Sequence, residues 1–216
     1  MVDLDFAIEG ARADPYAASP LLKFALRLKN QTPSLRILNI MLNCQIRIEP
    51  AQRSYAKPEH ERLKELFGEP QQWGHTLRSL LWTHISVPVL AFEQECAVDL
   101  PVPCSYDFNI AATKYFHGLK DGEVPLTLLY SGPVFYRDTG GQMQIAQIPW
   151  TKESTFRLPV SVWQSMMEHY YPESAWLCLR RDTFEQLYRY KRQKGLLTFD
   201  RAIEDLIETS MASPSP

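Results

Sequence analysis

The chain has 216 residues, a formal net charge of −2 and a sequence pI near 6.2. Hydrophobic residues make up 45% and charged residues 22%, which is ordinary for a globular protein with a sizeable core and excludes a chain that is disordered throughout. The slightly acidic balance gives no general attraction to nucleic acid or anionic lipid, so any electrostatic partner would need a local patch, and we expect no nucleic-acid partner.

The sequence contains no membrane-span or export pattern. No stretch reaches the roughly 18 consecutive apolar residues of a transmembrane helix. The first residues, Met1–Asp5, lack the basic region and the apolar core of a signal peptide. Four cysteines in a chain without an export signal are typical of a reducing compartment. We therefore expect a cytoplasmic protein.

The first half of the chain alternates in apolar character with a period of two. Such alternation puts one face of a strand on a core and the other toward water, which is typical of antiparallel sheets. In the clearest case every second residue from Leu38 to Ile48 is apolar. Asp138–Gly141 predicts a hairpin turn between strands at Val134–Arg137 and Met143–Ile148. Further strands are predicted over residues 4–9, 22–29, 80–92, 94–102, 106–112 and 124–130, about eight in all.

Helices are predicted in one insertion and in the last third. The insertion lies near 57–80, where Pro58 suits a first helical position and Gly68 ends an apolar stripe. In the last third a helix begins near Pro159 and is stopped by Pro172. Two more follow, one with Asp182 and Glu185 spaced as a capping box and ending at Gly195, the other capped by Thr198.

Strands followed by helices define the α+β class. We predict a single α+β domain over residues 1–209, mainly β in 1–150 and mainly α in 157–209, and a disordered tail over 210–216. The sheet is either a single antiparallel layer or a two-layer sandwich, with the last helices packed on it. The oligomeric state is left open.

No catalytic, cofactor-binding or metal-binding pattern is present. The histidines show no short spacing with one another or with cysteine, as zinc ligands require. We therefore predict no catalytic residue, no metal and no cofactor. A nucleophile pair of Cys104 with His84 or His117 remains an alternative, because such pairs are recognised by geometry. Cys44 and Cys96 are interpreted as small buried residues.

A basic cluster accompanies the second of the last three helices, in its final turns and just before it. Tyr188 and Tyr190 lie among these side chains, as a nucleic-acid surface would require. Basic residues near a helix C-terminus also complement the helix dipole without any ligand. The acidic pI favours the dipole interpretation.

The predicted partner-binding residues are Tyr170, Tyr171 and Trp176. They lie around the turn between the first two helices of the last third, and Pro172 ends the first of these helices abruptly. Aromatic side chains with a polar tip offer much contact area and dominate binding hot spots. The alternatives are that Trp176 inserts beneath the turn as a core residue, and that a partner binds the open face of the sheet.

Several blocks carry a family resemblance. They are "LNCQIRIEP" (42–50), "ERLKELFGEPQQWG" (61–74), "LLWTHISVPV" (80–89), "VDLPVPCSYDFNIAATKYFHGLKDGEVPLTLLYSGPVFYR" (98–137), "IPWTKE" (148–153) and "RLPVSVWQSMMEHYYPESAWLCLRRDTFEQLYRYK" (157–191). Together they resemble an uncharacterised bacterial family whose genes lie beside those of actinobacterial-type, oxygen-tolerant nickel–iron hydrogenases. The order of elements from Leu126 to Gly195 also resembles the export chaperone SecB.

The resemblance implies a cellular setting and no catalytic residues. It implies a non-catalytic accessory protein that binds a hydrogenase subunit or maturation factor during assembly or maturation. The first alternative is a stable auxiliary subunit of the mature hydrogenase complex. The second is an enzyme that uses the Cys104 and histidine pair.

Overall fold

A computed structural model describes residues 2–107 and 110–212 of the chain. These residues form nine strands and six α-helices. The strands are β1 (Leu4–Ala13), β2 (Leu21–Asn30), β3 (Arg36–Ile48), β4 (Leu80–Val89), β5 (Glu95–Pro103), β6 (Glu123–Ser131), β7 (Pro133–Arg137), β8 (Met143–Gln147) and β9 (Glu153–Pro159). The helices are α1 (Lys57–Phe67), α2 (Trp73–Thr76), α3 (Ala111–Gly118), α4 (Val160–Tyr170), α5 (Arg181–Gln193) and α6 (Phe199–Ala212).

The strands form two antiparallel sheets. One has the order β1–β2–β5. In the other, β3 pairs with β4 along one edge and with β6 and β7 along its second edge, and β9 and β8 lie beyond β6 and β7. Phe6 of β1 stacks on Tyr130 of β6 at 4.3 Å between ring centroids, and Phe24 of β2 meets Phe156 of β9 at 5.8 Å. The sheets therefore face each other as a two-layer sandwich, and the predicted α+β class is confirmed.

The period-two prediction for β3 is confirmed from Ile40 onward and is wrong at its start. Leu38, predicted to face the core, is half-buried, whereas Ile37 is buried completely. The pairing of β3 with β7 shifts register between Ile37 and Asn39. Such a bulge inserts one residue and so reverses the face to which preceding side chains point. Beyond it the apolar alternates Ile40, Leu42, Cys44, Ile46 and Ile48 are all buried.

The predicted helical insertion is confirmed, but the strand predicted over 106–112 is wrong. α1 buries Leu63 and Phe67 and ends at Gly68. α3 begins at Ala111, within the segment predicted as a strand, while residues 108 and 109 of that segment lie outside the described residues. The buried side chains of this region follow a helical spacing of three and four, which is the period that the helix needs: Ala112, Tyr115, Phe116 and Leu119.

The chain consists of two compact units, Met1–Trp176 and Leu177–Pro216. The first contains both sheets and α1 to α4. The second contains α5 and α6. That residues 1–209 form a single domain stays a prediction. None of the helices in the described part of the chain is long and apolar enough to cross a bilayer.

The ends of α5 and α6 agree only partly with prediction. Asp182 lies inside α5, whose N-cap is Arg180 without a side-chain cap, so the capping box predicted with Glu185 is wrong. The Thr198 cap is confirmed, because its hydroxyl accepts a hydrogen bond from the Arg201 backbone N–H at 3.2 Å. α6 continues to Ala212, so residues 210–212 are helical and not a disordered tail. Residues 213–216 lie outside the described residues.

Candidate protein-interaction surface

Tyr170 holds a loop in place with its polar tip. This residue is half-buried at the end of α4, and its hydroxyl donates hydrogen bonds to the backbone carbonyl oxygens of Asp14 (2.6 Å) and Ala17 (3.0 Å). Both acceptors belong to the connection between β1 and β2. The structure thus places the Tyr170 hydroxyl against this loop.

Tyr171 and Trp176 lie together in an aromatic cluster, which we define as Tyr106, Tyr171 and Trp176. Tyr171 stacks on Tyr106 with ring centroids 6.0 Å apart and rings 12° from parallel, and Trp176 lies 5.7 Å from Tyr171. A backbone bridge between Asp107 and Trp176 fixes the tryptophan beside this stack. Trp176 remains 60% exposed, so it is not a core residue.

Local sequence explains how the chain reaches this arrangement. Pro172 disfavours helical geometry at Tyr171, because the proline ring collides with the preceding residue in that conformation. α4 therefore ends with a final hydrogen bond from the Tyr171 N–H to the Met167 carbonyl oxygen at 2.7 Å. Glu173 then adopts a φ of 52°, which is uncommon for a residue with a side chain. The sharp turn brings Trp176 back toward Tyr171.

A cavity of about 230 Å³ lies beside the cluster, lined by aromatic residues and by Arg62, His117, Gln164 and Glu168. Burial, and to a lesser extent the charge of Arg62, lowers the pKa of His117. Burial, and then the nearby Glu168, raises the pKa of Tyr106. At neutral pH both groups are therefore mainly uncharged, and they offer hydrogen-bonding capacity in a wall that combines polar and aromatic side chains.

A second surface lies on the outer side of the six-stranded sheet. It is here called the open sheet face and comprises Met41, Phe135, Met143, Ile145 and Trp150. Met143 and Ile145 are 66% and 60% exposed on β8, and Ile145 lies opposite Phe135 of β7. Met41 points outward between the buried Ile40 and Leu42. Trp150, in the turn after β8, is 88% exposed.

Beside Trp150 the same face contains a hollow of about 430 Å³, whose mainly apolar surface is interrupted by hydrogen-bonding side chains. It is lined by side chains from β3, β4 and the end of β6, including Asn43, His84, Ser86 and Ser131. The Ser86 hydroxyl donates to the Asn43 side-chain oxygen at 2.6 Å. Exposed apolar side chains next to hydrogen-bonding groups are a typical composition for a protein-binding surface.

The cysteine chemistry left open by the sequence is disfavoured by its surroundings. Cys104 is half-buried beside a cavity of about 100 Å³, and no histidine is found among the described residues that line this cavity. Burial raises the pKa of the Cys104 thiol to about 12. A thiol in that state is almost fully protonated at neutral pH and is a poor nucleophile. Across the described residues no group of three or more His, Cys, Asp or Glu side chains is arranged to hold a metal ion.

Thiol labelling of the folded protein at pH 8 is expected to separate the cysteines. Cys178 is exposed and is expected to react within minutes. Burial raises the pKa of Cys44 and of Cys104 to about 12 each, so only about one molecule in ten thousand carries either thiolate at pH 8. Mass spectrometry after iodoacetamide treatment measures each site, with the unfolded protein as the control. Rapid stoichiometric labelling of Cys104 in the folded protein would revive the nucleophile alternative.

Fold and surfaces together define an α+β protein whose antiparallel sandwich exposes aromatic and apolar side chains at two places. The chain belongs to the family of unknown function DUF6084, which it matches over residues 1–215. No curated protein matches it. Among solved structures it is similar to an ApaA protein from Bordetella pertussis, with 12% sequence identity, a TM-score of 0.26, and 73% of this chain and 95% of that chain covered. A likeness at that score supports no inference. The hydrogenase setting and the SecB-like order of elements stay predictions.

Proposed function

We propose that this protein is a non-catalytic accessory protein that binds another polypeptide, and that its partner is a subunit or maturation factor of a nickel–iron hydrogenase. The open sheet face is the observation that supports binding. The choice of partner rests on the family resemblance of the sequence blocks. The protein acts before the mature enzyme is complete, during assembly or maturation.

The open sheet face has the composition of a binding surface. Contiguous exposed apolar patches are uncommon on monomeric soluble proteins and mark interaction sites when polar groups surround them. Tryptophan and methionine are enriched at interfaces, and tryptophan is prominent among the residues whose truncation costs most affinity. Here Trp150, Met143 and Ile145 present apolar surface on the same face as the hollow with its hydrogen-bonding side chains.

The edge strand β8 adds a second route to binding. It pairs with β7 along one side only in the described structure. Natural sheets usually protect such an edge with charged residues or proline, because its unpaired backbone groups can hydrogen-bond to another strand. β8 has the sequence MQIAQ, without charge or proline. An extended apolar segment of a partner can therefore pair with β8 while its side chains contact the open sheet face.

The test is recovery of hydrogenase components on the tagged protein from a host that makes the enzyme. The Ile145→Ser/Trp150→Ala double variant is expected to lose at least about 30-fold in affinity, the equivalent of one interface hot spot. Its melting temperature is expected to stay within about two degrees, because both side chains are exposed. Tyr16→Ala is the matched control, since Tyr16 is an exposed aromatic residue on the loop after β1.

Further variants distinguish the two candidate surfaces and the timing of binding. Loss of the partner in Tyr171→Ala or Trp176→Ala, with unchanged melting, would move the docking site to the aromatic cluster. Recovery of this protein with active enzyme, purified through the hydrogenase small subunit, would favour a stable auxiliary subunit. Normal large-subunit processing, metal loading and complex assembly in a deletion strain would refute the proposal.

A further inference from the structure

The unit formed by α5 and α6 has almost no core of its own. Among the described side chains of residues 177–211 one hydrophobic side chain is buried, that of Ala202. Leu179, Leu187, Leu196 and Phe199 are half-buried. Eight other large apolar residues of this part of the chain remain exposed by more than a third: Leu177, Phe184, Tyr188, Leu197, Ile203, Leu206, Ile207 and Met211. A unit of this size cannot bury enough apolar surface by itself and usually depends on association.

Contacts between the two helices account for only part of these side chains. Phe184 meets Phe199 at 5.4 Å, and the Lys191 ammonium lies 5.5 Å from the centre of the Phe199 ring. Lys194 pairs with Asp205 at 3.5 Å, and the Tyr190 hydroxyl donates to the same carboxylate. On α6 these contacts involve Phe199 and Asp205. Ile203, Leu206 and Ile207 remain 39%, 41% and 54% exposed, so the side of α6 that they line is left open.

A groove of about 560 Å³ runs between the helices on that open side. Its floor is apolar and contains Leu177, Leu187, Ile203 and Leu206. Its rim on the α5 side is polar, with Arg189 among its residues. A groove of this composition suits an amphipathic helix that carries an apolar stripe flanked by acidic residues.

α6 itself has that composition. Ile203, Leu206 and Ile207 are spaced by three and four residues, so they share one helix face. Glu204 and Glu208 lie along the neighbouring face and are exposed. The two helices are opposite in charge. α5 and the residues that flank it carry two acidic residues, Asp182 and Glu185, against six basic ones: Arg180, Arg181, Arg189, Lys191, Arg192 and Lys194. α6 carries one basic residue, Arg201, against four acidic ones: Asp200, Glu204, Asp205 and Glu208.

We propose that a second copy of this chain fills the groove. Each copy carries both the groove, with Arg189 on its rim and Arg192 further along α5, and the acidic, apolar helix α6. A two-fold axis therefore lets each copy supply a groove to its partner and a helix to the partner's groove. α6 of one copy lies in the groove of its partner, and the four helices form a bundle around the Ile203, Leu206 and Ile207 side chains of both copies. Glu204 and Glu208 then face Arg189 and Arg192 across the interface.

Sedimentation velocity of the full chain tests this proposal. The wild type is expected to sediment as two chains of 25.0 kDa each. Leu206→Glu is expected to raise the dissociation constant at least about 30-fold, because it places a charge on the groove floor. Leu197→Glu is the matched control, since Leu197 is 90% exposed outside the groove, and it is expected to remain dimeric.

Charge-reversal variants provide a second test of the dimer, which does not depend on whether Leu206→Glu folds correctly. Arg189→Glu/Arg192→Glu and Glu204→Arg/Glu208→Arg change exposed side chains only. Each variant alone is expected to be monomeric, because like charges meet across the interface, and a mixture of the two is expected to form heterodimers. A monomeric wild type with intact helicity by circular dichroism overturns the proposal. So does a dimer that survives both Leu206→Glu and the charge reversals.

Discussion

Replacing Arg53 with alanine is expected to lower the free energy of unfolding by about 3–5 kcal/mol. The Arg53 guanidinium pairs with the Glu59 carboxylate at 2.6 Å, and both side chains are buried. It also donates to the backbone carbonyl oxygens of Asp121 (2.9 Å) and Glu123 (3.0 Å), and so joins the segment after β3 to the start of β6. Without the arginine, a buried carboxylate loses its counter-charge, which is the costly way to break such a pair.

Urea denaturation measures this loss, with Arg12→Ala as the matched control. Arg12 pairs with Asp99 at 2.5 Å, but both side chains are exposed, so its removal is expected to cost less than about 1 kcal/mol. A double-mutant cycle with Glu59→Ala isolates the pair from the packing of each side chain. Equal losses for Arg53→Ala and Arg12→Ala would mean that the buried pair does not contribute as its geometry indicates.

Gly132→Ala is expected to be comparably damaging, at about 3 kcal/mol or more, from backbone strain and a steric clash together. Gly132 joins β6 to β7 with a φ of 126°, a conformation that side chains disfavour. An added Cβ would lie 2.0 Å from the Met41 carbonyl oxygen, and this acceptor is part of the backbone of β3. β3 cannot move away from this connection without losing its pairing to β6 and β7.

The control for this substitution is Gly141→Ala. Gly141 also has a positive φ, of 78°, in the turn between β7 and β8, but nothing lies within 4 Å of its added Cβ. Replacing Gly141 with alanine is expected to lower the free energy of unfolding by about 1 kcal/mol, because only the unfavourable backbone conformation contributes. Thermal unfolding of both variants separates the cost of the positive φ, which both share, from the cost of the steric clash, which only Gly132→Ala has. A Gly132→Ala protein as stable as Gly141→Ala would show that β3 and β6 are not held as closely as the structure has them.

Period-two patterns predicted most of the sandwich because one side of each strand is buried. They failed where a strand is stabilised by contacts with distant residues and its own apolar alternation is incomplete. β9 was not predicted because an inward position is occupied by Ser154, whose hydroxyl shares a hydrogen bond with the Tyr130 hydroxyl at 2.7 Å. A polar residue in that position hides the alternation from the sequence, although the pair satisfies both hydroxyls within the sandwich.

The region of α3 failed for a different reason. Alternating apolar residues from Tyr106 to Ala112 imitated a strand, although the spacing of Ala112, Tyr115, Phe116 and Leu119 already indicated a helix. Short apolar runs fit both periods, so the longer pattern should decide between them. The bulge at Ile37 and Asn39 had no comparable signal, because it depends on pairing with a strand about 100 residues later.

Candidate binding residues were only partly predictable. The sequence indicated that Tyr171 and Trp176 lie near a sharp turn, which follows from Pro172. It could not indicate that the Tyr170 hydroxyl hydrogen-bonds to the carbonyl oxygens of Asp14 and Ala17, since that contact joins distant parts of the chain. The open sheet face was named only as an alternative. Its local signal was the uncharged β8 followed by a tryptophan in a turn.

The central position of β3 has a consequence during synthesis on the ribosome. β4 can pair with one edge of β3 soon after β4 emerges. The second edge of β3 stays unpaired until β6 and β7 emerge. About 75 residues separate the end of β3 from the start of β6, which corresponds to roughly 4–15 seconds of translation. Throughout that interval the nascent chain carries a long apolar strand with unpaired backbone groups. A ribosome that stalls before residue 123 therefore leaves a chain prone to aggregate, whereas one that stalls after β6 and β7 have left the exit tunnel leaves a chain in which β3 can pair along both edges.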